Sequence, residues 1–146
     1  MITIERMDYK HIEDVICLGL VTQEFRTGTS APQFYFRSTL EAWIKSPNGV
    51  LLVGLFKSEF AGFSIAAYNP DNKDGYLHNI VVMPEHRHKG IAPEMLEKTL
   101  QNLAILGCNH VYKKIKPRNK EALKLMQKYG FEIGEKFLYV ERTLEL

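Results

Sequence analysis

Apolar positions fall either at helical spacing or in short β-branched and aromatic runs, and the alternation of the two predicts the elements. Ile2 to Ile4 is a short β-prone start, and Ile12, Val15, Ile16, Leu18 and Leu20 then recur at helical spacing within Tyr9 to Phe25. A break rich in Gly, Thr, Ser and Pro, Arg26 to Gln33, leads to a second helix over Phe34 to Ile44, which Ser46 to Gly49 ends. Val50 to Phe56 and Phe60 to Tyr68, separated by Lys57-Ser58-Glu59, read as a hairpin. The turn signal Asn69 to Gly75 precedes a strand over Tyr76 to Met83, closed by Pro84.

From Ile91, the positions Met95, Leu96, Leu100, Leu103 and Ala104 share a helical face, and Gly107 supplies a stop. Val111 to Ile115 is a short strand, Asn119 is a good N-cap for a helix carrying Ala122, Leu123, Leu125 and Met126, and Gly130 closes that helix. Phe131 to Ile133 and Phe137 to Leu144 read as closing strands. The order, βααββ then βαβαββ, is that of an α/β domain with a mixed sheet.

Composition narrows the partners. The 146 residues are 45% hydrophobic, enough for one domain spanning residues 1–146 with a sizeable core. A net charge of +2 argues against general nucleic-acid binding. Cys17 and Cys108, each inside an apolar run, fit two buried reduced thiols and hence a cytoplasmic setting. The charged N-terminus does not read as a signal peptide, and no apolar segment has the roughly 18 residues of a membrane span; no membrane partner is expected.

The stretch Val81 to Leu96, VVMPEHRHKGIAPEML, carries the candidate chemistry. A strand that turns into a helix N-terminus gathers free N–H groups and the positive end of the helix dipole, and small residues let an anion approach. Gly90 and Ala92 are those residues here, with Arg87, His88 and Lys89 beside them. Neither a GxGxxG nor a Gly-Lys-Ser/Thr ending is present.

Three linked signatures agree: the turn itself, V-x-P-E-x-R-x-x-G-x-A, the helix start Asn119-x-x-Ala122, and the helix end Lys128-Tyr129-Gly130-Phe131. Over about Tyr76 to Leu144 the chain resembles the GNAT acetyltransferases. The resemblance implies an α/β GNAT fold, with a mixed central sheet of about six to seven strands, flanking helices and splayed fourth and fifth strands. It implies acetyl-CoA as cosubstrate, its pyrophosphate on Arg87, His88, Lys89, Gly90, Ile91 and Ala92. Ile80, Val81 and Val82 would line the thioester and pantetheine arm, and Asn119 would touch the cofactor or simply cap its helix. An amine acceptor, unidentified, follows by the same resemblance, and a homodimer is left open.

Acetyl transfer to an amine needs a neutral nucleophile and a proton for the departing thiolate. A model lysine of pKa about 10.4 is neutral only about once in 2500 at pH 7, a deficit near 4.6 kcal/mol. The family often supplies a glutamate base and a tyrosine acid at positions that are Tyr76, Lys114 and Met126 here. The remaining candidates are His78 as base and Tyr129 or Tyr112 as acid. His86, His88 and His110 lack acidic or Cys partners at metal-ligand spacing, so no metal is expected. The basic residues from Lys113 to Lys128 read as a solvated face, or as contacts to the 3′-phosphate of coenzyme A or to a nucleic acid. Phe34, Tyr35 and Phe36 read as core residues of the second helix; facing a cleft, they would favour an apolar or aromatic amine. Two alternatives stand beside the enzyme: a GNAT-fold module with little turnover, and an acetyltransferase acting on aminoacyl-tRNA.

Overall fold

A computed structural model describes residues 1–28 and 33–145; part of the Gly- and Ser-containing break predicted over 26–33 lies outside them. One sheet of five strands runs in sequence order: β1 (Ile2–Arg6), β2 (Gly49–Phe56), β3 (Glu59–Asn69), β4 (Asp74–Val82) and β5 (His110–Tyr112). The first four are antiparallel neighbours, and β5 joins β4 in parallel. The helix α3 (Ile91–Leu106) makes the crossover between β4 and β5 that a parallel pair requires. Alternation along the strands assigns the two faces. Leu51, Val53, Phe63, Ile65 and Val81 pack under α1 (Ile12–Val21) and α2 (Arg37–Lys45), through Ile12, Val15, Leu18 and Leu40. Val50, Leu52, Ala66 and Leu77 pack under α3 and α4 (Lys120–Lys128), through Leu96, Leu103 and Met126.

Two irregularities in β4 shape the surface beside it. Its register on β3 passes from Ile65↔Asn79 to Ala66↔Leu77, so His78 is an extra residue, a β-bulge. On its other edge only Asp74, Gly75 and Tyr76 pair with β5, opposite His110, Val111 and Tyr112. Beyond Tyr76 the two strands part and leave a fork.

The elements depart from the sequence pattern in four places. The second helix begins at Arg37, with Phe34 to Phe36 lying before it. The Phe34 ring lies so close over Gly19 of α1 that a Cβ there would sit 2.3 Å from it, which holds this stretch off the helical path. The fifth strand is three residues long rather than five, because its ladder ends where the fork begins. No strand forms over 131–145: Phe137, Leu138 and Val140 are over 80% exposed, since β propensity without a paired neighbour does not make a strand. The sheet of the described residues therefore has five strands where six to seven were expected. Cys17, finally, is exposed, because α1 turns Ile12, Val15, Leu18 and Gly19 inward and Cys17 falls on the opposite side; Cys108 is only partly buried, and both thiols are free.

Inside the core, the hydroxyls of Ser64 on β3 and Thr99 on α3 bond to each other at 2.8 Å, both fully buried. Removing one strands the other. Thr99→Val should lower unfolding stability by about 1–3 kcal/mol in urea titrations, and adding Ser64→Ala should recover much of that loss.

Candidate active site

Past β4 the chain makes a short turn over Pro84–His86 and then runs through Arg87, His88, Lys89 and Gly90 into α3. His88 and Gly90 adopt left-handed backbone, φ +63° and +86°. A Cβ on Gly90 would meet nothing nearer than Ile2 Cδ1 at 4.0 Å, so glycine is required there for its conformation, and the space beside it is open. No side chain caps α3, so the first-turn N–H groups and the positive dipole end face that space. The cations are partly engaged: Arg87 Nε donates to the Val82 carbonyl at 3.3 Å, and the Lys89 ammonium lies 4.2 Å over the Phe56 ring. The chemistry of this turn fits a pyrophosphate: backbone donors first, cations around them.

The fork carries the second half of the site. The extra residue turns both His78 and Asn79 toward α2. The Tyr76 ring lies 4.5 Å from His78 and 4.8 Å from Tyr112, His78 lies 5.0 Å from Trp43, and Trp43 lies 4.9 Å from Tyr35. The Tyr35 hydroxyl donates to Asn79 Oδ1 at 2.9 Å. Beside this chain of rings is a cavity of about 260 Å³, lined by Trp43, Ser46, Asn48, Ala67, Tyr68 and His78.

Burial among the rings, and then the nearby Lys113 ammonium, push the His78 imidazole down to about 4. It is neutral at pH 7, free to accept a proton and weak at holding one. Burial, and then Tyr76, push the Tyr35 phenol up to about 12, so it stays a hydrogen-bond donor. Lys113 reaches across the fork, its ammonium donating to the His78 carbonyl at 3.1 Å. Burial lowers it to about 8, against the opposing pull of Glu24.

His78 and Tyr112 thus meet through Tyr76 at the fork, whereas Tyr129 packs on the α3–α4 side, where desolvation and then the Glu97 carboxylate push its phenol up. Ile80 and Val82 follow the bulge and turn their side chains toward α3, while Val81 is buried under α1 and α2. Asn119 caps α4, its Oδ1 accepting from the Ala122 N–H at 3.1 Å. Of Phe34, Tyr35 and Phe36, the first is core, the second lines the fork and the third is 68% exposed. Sequence reading left out Trp43 and Asn79, which only the bulge brings together. It also took Lys113 for part of a solvated face, although Val111, Lys113 and Ile115 sit at alternate positions and the two apolar ones signal a half-buried run. Lys116 is engaged too, donating to the Arg26 carbonyl at 2.7 Å.

Comparison with known proteins bears on this arrangement. The family model described as "Acetyltransferase (GNAT) family" matches residues 19–131. The chain is 31% identical to the spermine/spermidine N(1)-acetyltransferase of Bacillus subtilis (strain 168) over 90 residues, 56% of this chain and 59% of that one. It thus spans about three fifths of that relative's length. Among solved structures it is similar to an aminoglycoside acetyltransferase, meta-AAC0020, from an uncultured soil metagenomic sample, in complex with sisomicin. The TM-score is 0.78 at 16% identity, covering 99% of this chain and 97% of that one. A second is aminoglycoside N-acetyltransferase AAC(6')-Iy in complex with CoA, TM-score 0.76 at 20% identity, covering 99% and 96%. At such identities the likeness is one of fold.

The depressed His78 makes a prediction about pH. The unfolded chain binds a proton at this residue near pH 6.5 and the folded chain only near 4, so stability at this residue is lost as pH falls through that window. Chemical denaturation between pH 4 and 7 should therefore show a shallower pH slope for His78→Gln than for the wild type, and the His78 ring should titrate below pH 5 by NMR.

Proposed function

The chain belongs to the acetyltransferase (GNAT) family, and from that premise we propose that it moves an acetyl group from acetyl-CoA to an amine by direct transfer in a ternary complex. The observation that carries this reading is the uncapped N-terminus of α3, opening through Gly90 onto free space just past the end of β4, the strand that forms one side of the fork. Acetyl-CoA, when bound, supplies an activated acyl group. The N–H groups at Gly90, Ile91 and Ala92 hold its pyrophosphate, with Arg87, His88 and Lys89 adding positive charge. Ile80, Val81 and Val82 align the pantetheine arm through the β4 backbone left unpaired by β5, Ile80 N–H toward the thioester carbonyl. Orientation of this kind, together with donors aimed at the developing oxyanion, supplies most of the acceleration in acyl transfer. His78, neutral and at the fork, is placed to take up the proton that the amine sheds, but a ring held down to about 4 is a weak base, so it acts only as a transient relay to solvent. Asn119 keeps the start of α4 in place.

The rings of Tyr35, Trp43, Tyr76 and Tyr112 make the acceptor wall. They suit an amine on an apolar or aromatic body, whose ammonium is also drawn to ring faces before it loses its proton. The carboxylates near this wall are engaged: Asp74 bonds His110 Nδ1 at 2.7 Å, and Glu24 faces the Lys113 ammonium. Long polyamines, the acceptor class named for the Bacillus relative, should accordingly be the poorer substrates of this chain.

Calorimetry with acetyl-CoA, followed by thiol release against a panel of amines, tests the reading. Binding with thiol release is expected; binding without release from amines, peptides and aminoacyl-tRNA would point to a module that only holds coenzyme A. Gly90→Glu should abolish acetyl-CoA binding while the far-UV circular dichroism stays that of the wild type, and unchanged affinity would remove the turn from the site. Among amines, phenethylamine should exceed spermidine in kcat/KM by at least tenfold, a margin set by the aromatic wall; the reverse order would overturn the assignment of the acceptor.

A further inference from the structure

Lys113 is the first residue after β5, at the point where pairing with β4 has ended at Tyr76↔Tyr112. Past that point β5 supplies no backbone donor to β4, and a side-chain cation takes the carbonyl of His78 instead, at 3.1 Å across the fork. A lysine ammonium carries three N–H groups, so two remain after that bond. We propose that Lys113 is the catalytic residue that protonates the departing thiolate of coenzyme A. This rests on the reading of the fork as the seat of the acyl-CoA.

The protons balance. The acceptor nitrogen forms a bond to the acyl carbon, the C–S bond breaks with its electron pair on sulfur, and a proton moves from Lys113 Nζ to that sulfur. The proton shed by the acceptor nitrogen returns the lysine to its ammonium form through His78 or solvent, so none is gained or lost. Among the described residues, Glu24, from the turn Gln23–Phe25, and the neutral His78, from β4, act on Lys113. Burial leaves the ammonium near 8, well below an ordinary lysine, so it gives its proton to a departing alkyl thiolate more readily than a free lysine would. Met126 has no proton to give, and Tyr129 packs on the α3–α4 side; Tyr112 shares the fork, but its ring lies against Tyr76 in the last paired position, whereas Lys113 is the first residue past the point where the strands part.

The test compares wild type, Lys113→Met and Lys113→Arg in two readouts. The first is the thiolate absorbance of protein-bound coenzyme A against pH. The wild type and K113R should lower the thiol's titration by at least one pH unit relative to K113M, because each keeps a cation at the fork. The second is turnover on an accepted amine. Both variants should lose about 100-fold in kcat with KM for acetyl-CoA within threefold, and the fall in kcat above pH 8 should disappear, since arginine does not release its proton. Normal coenzyme A binding by K113M with an unshifted thiol titration, or kcat within threefold of wild type, would overturn the role of Lys113 alone. Failure of the wild type to bind coenzyme A would instead overturn the seat, and this proposal with it.

Discussion

One extra residue in β4 sets the geometry on which everything else depends. Side chains on a strand alternate faces, so a single insertion reverses the facing of every later residue in the strand. Before the bulge, Tyr76 faces α2 and Leu77 faces α3; after it, Asn79 and Val81 face the α1–α2 side while Ile80 and Val82 face α3. His78 and Asn79 are thereby brought to one side with Tyr76, Trp43 and Tyr35. The same stretch of β4 is where β5 leaves it. A regular strand at this place would have put His78 and Asn79 on opposite faces and dispersed the rings.

The fork is an electrostatic environment as much as a space. Its walls are rings and the neighbouring Lys113 ammonium is partly withdrawn from water, so His78 is held neutral and Lys113 is held less basic than a free lysine. Low polarity around charges makes each interaction stronger and each unpaired group more costly. The polar groups there are accordingly paired: Tyr35 with Asn79, and Lys113 with the His78 carbonyl. At the other end of β4 the helix N-terminus is the reverse case, exposed and lined with donors. An acyl-CoA has the matching polarity, a phosphate-rich end and a thioester end joined by a thin arm.

Much of this was legible in the sequence because it is local. The turn Arg87 to Ala92, the stop at Gly107 and the cap at Asn119 are each written in a few consecutive residues, and each lies where the pattern put it. The hairpin between β2 and β3 turns at Lys57 and Ser58, with φ of 50° and 69°, as the charged tip suggested. What was not legible depends on distant partners. The bulge at His78 exists only in register with Ile65 and Ala66, so the meeting of His78 with Trp43 has no local signature. Lys113 looked like one more member of a basic run because its environment comes from His78 and Glu24, residues far off in the chain. The apolar stretch Phe137 to Leu144 carried strand propensity without a neighbour to pair with, and propensity alone did not make a strand.

The central claim is that one ligand bridges the helix N-terminus and the fork. Amide NMR of the full chain titrated with acetyl-CoA tests it directly. The largest shifts are expected in two blocks, Ile80 to Val82 and Lys89 to Ala92, with the indole N–H of Trp43 moving less until an acceptor amine is added. Shifts confined to the outer face of α1 or to the 131–145 segment, with both blocks unmoved, would contradict it.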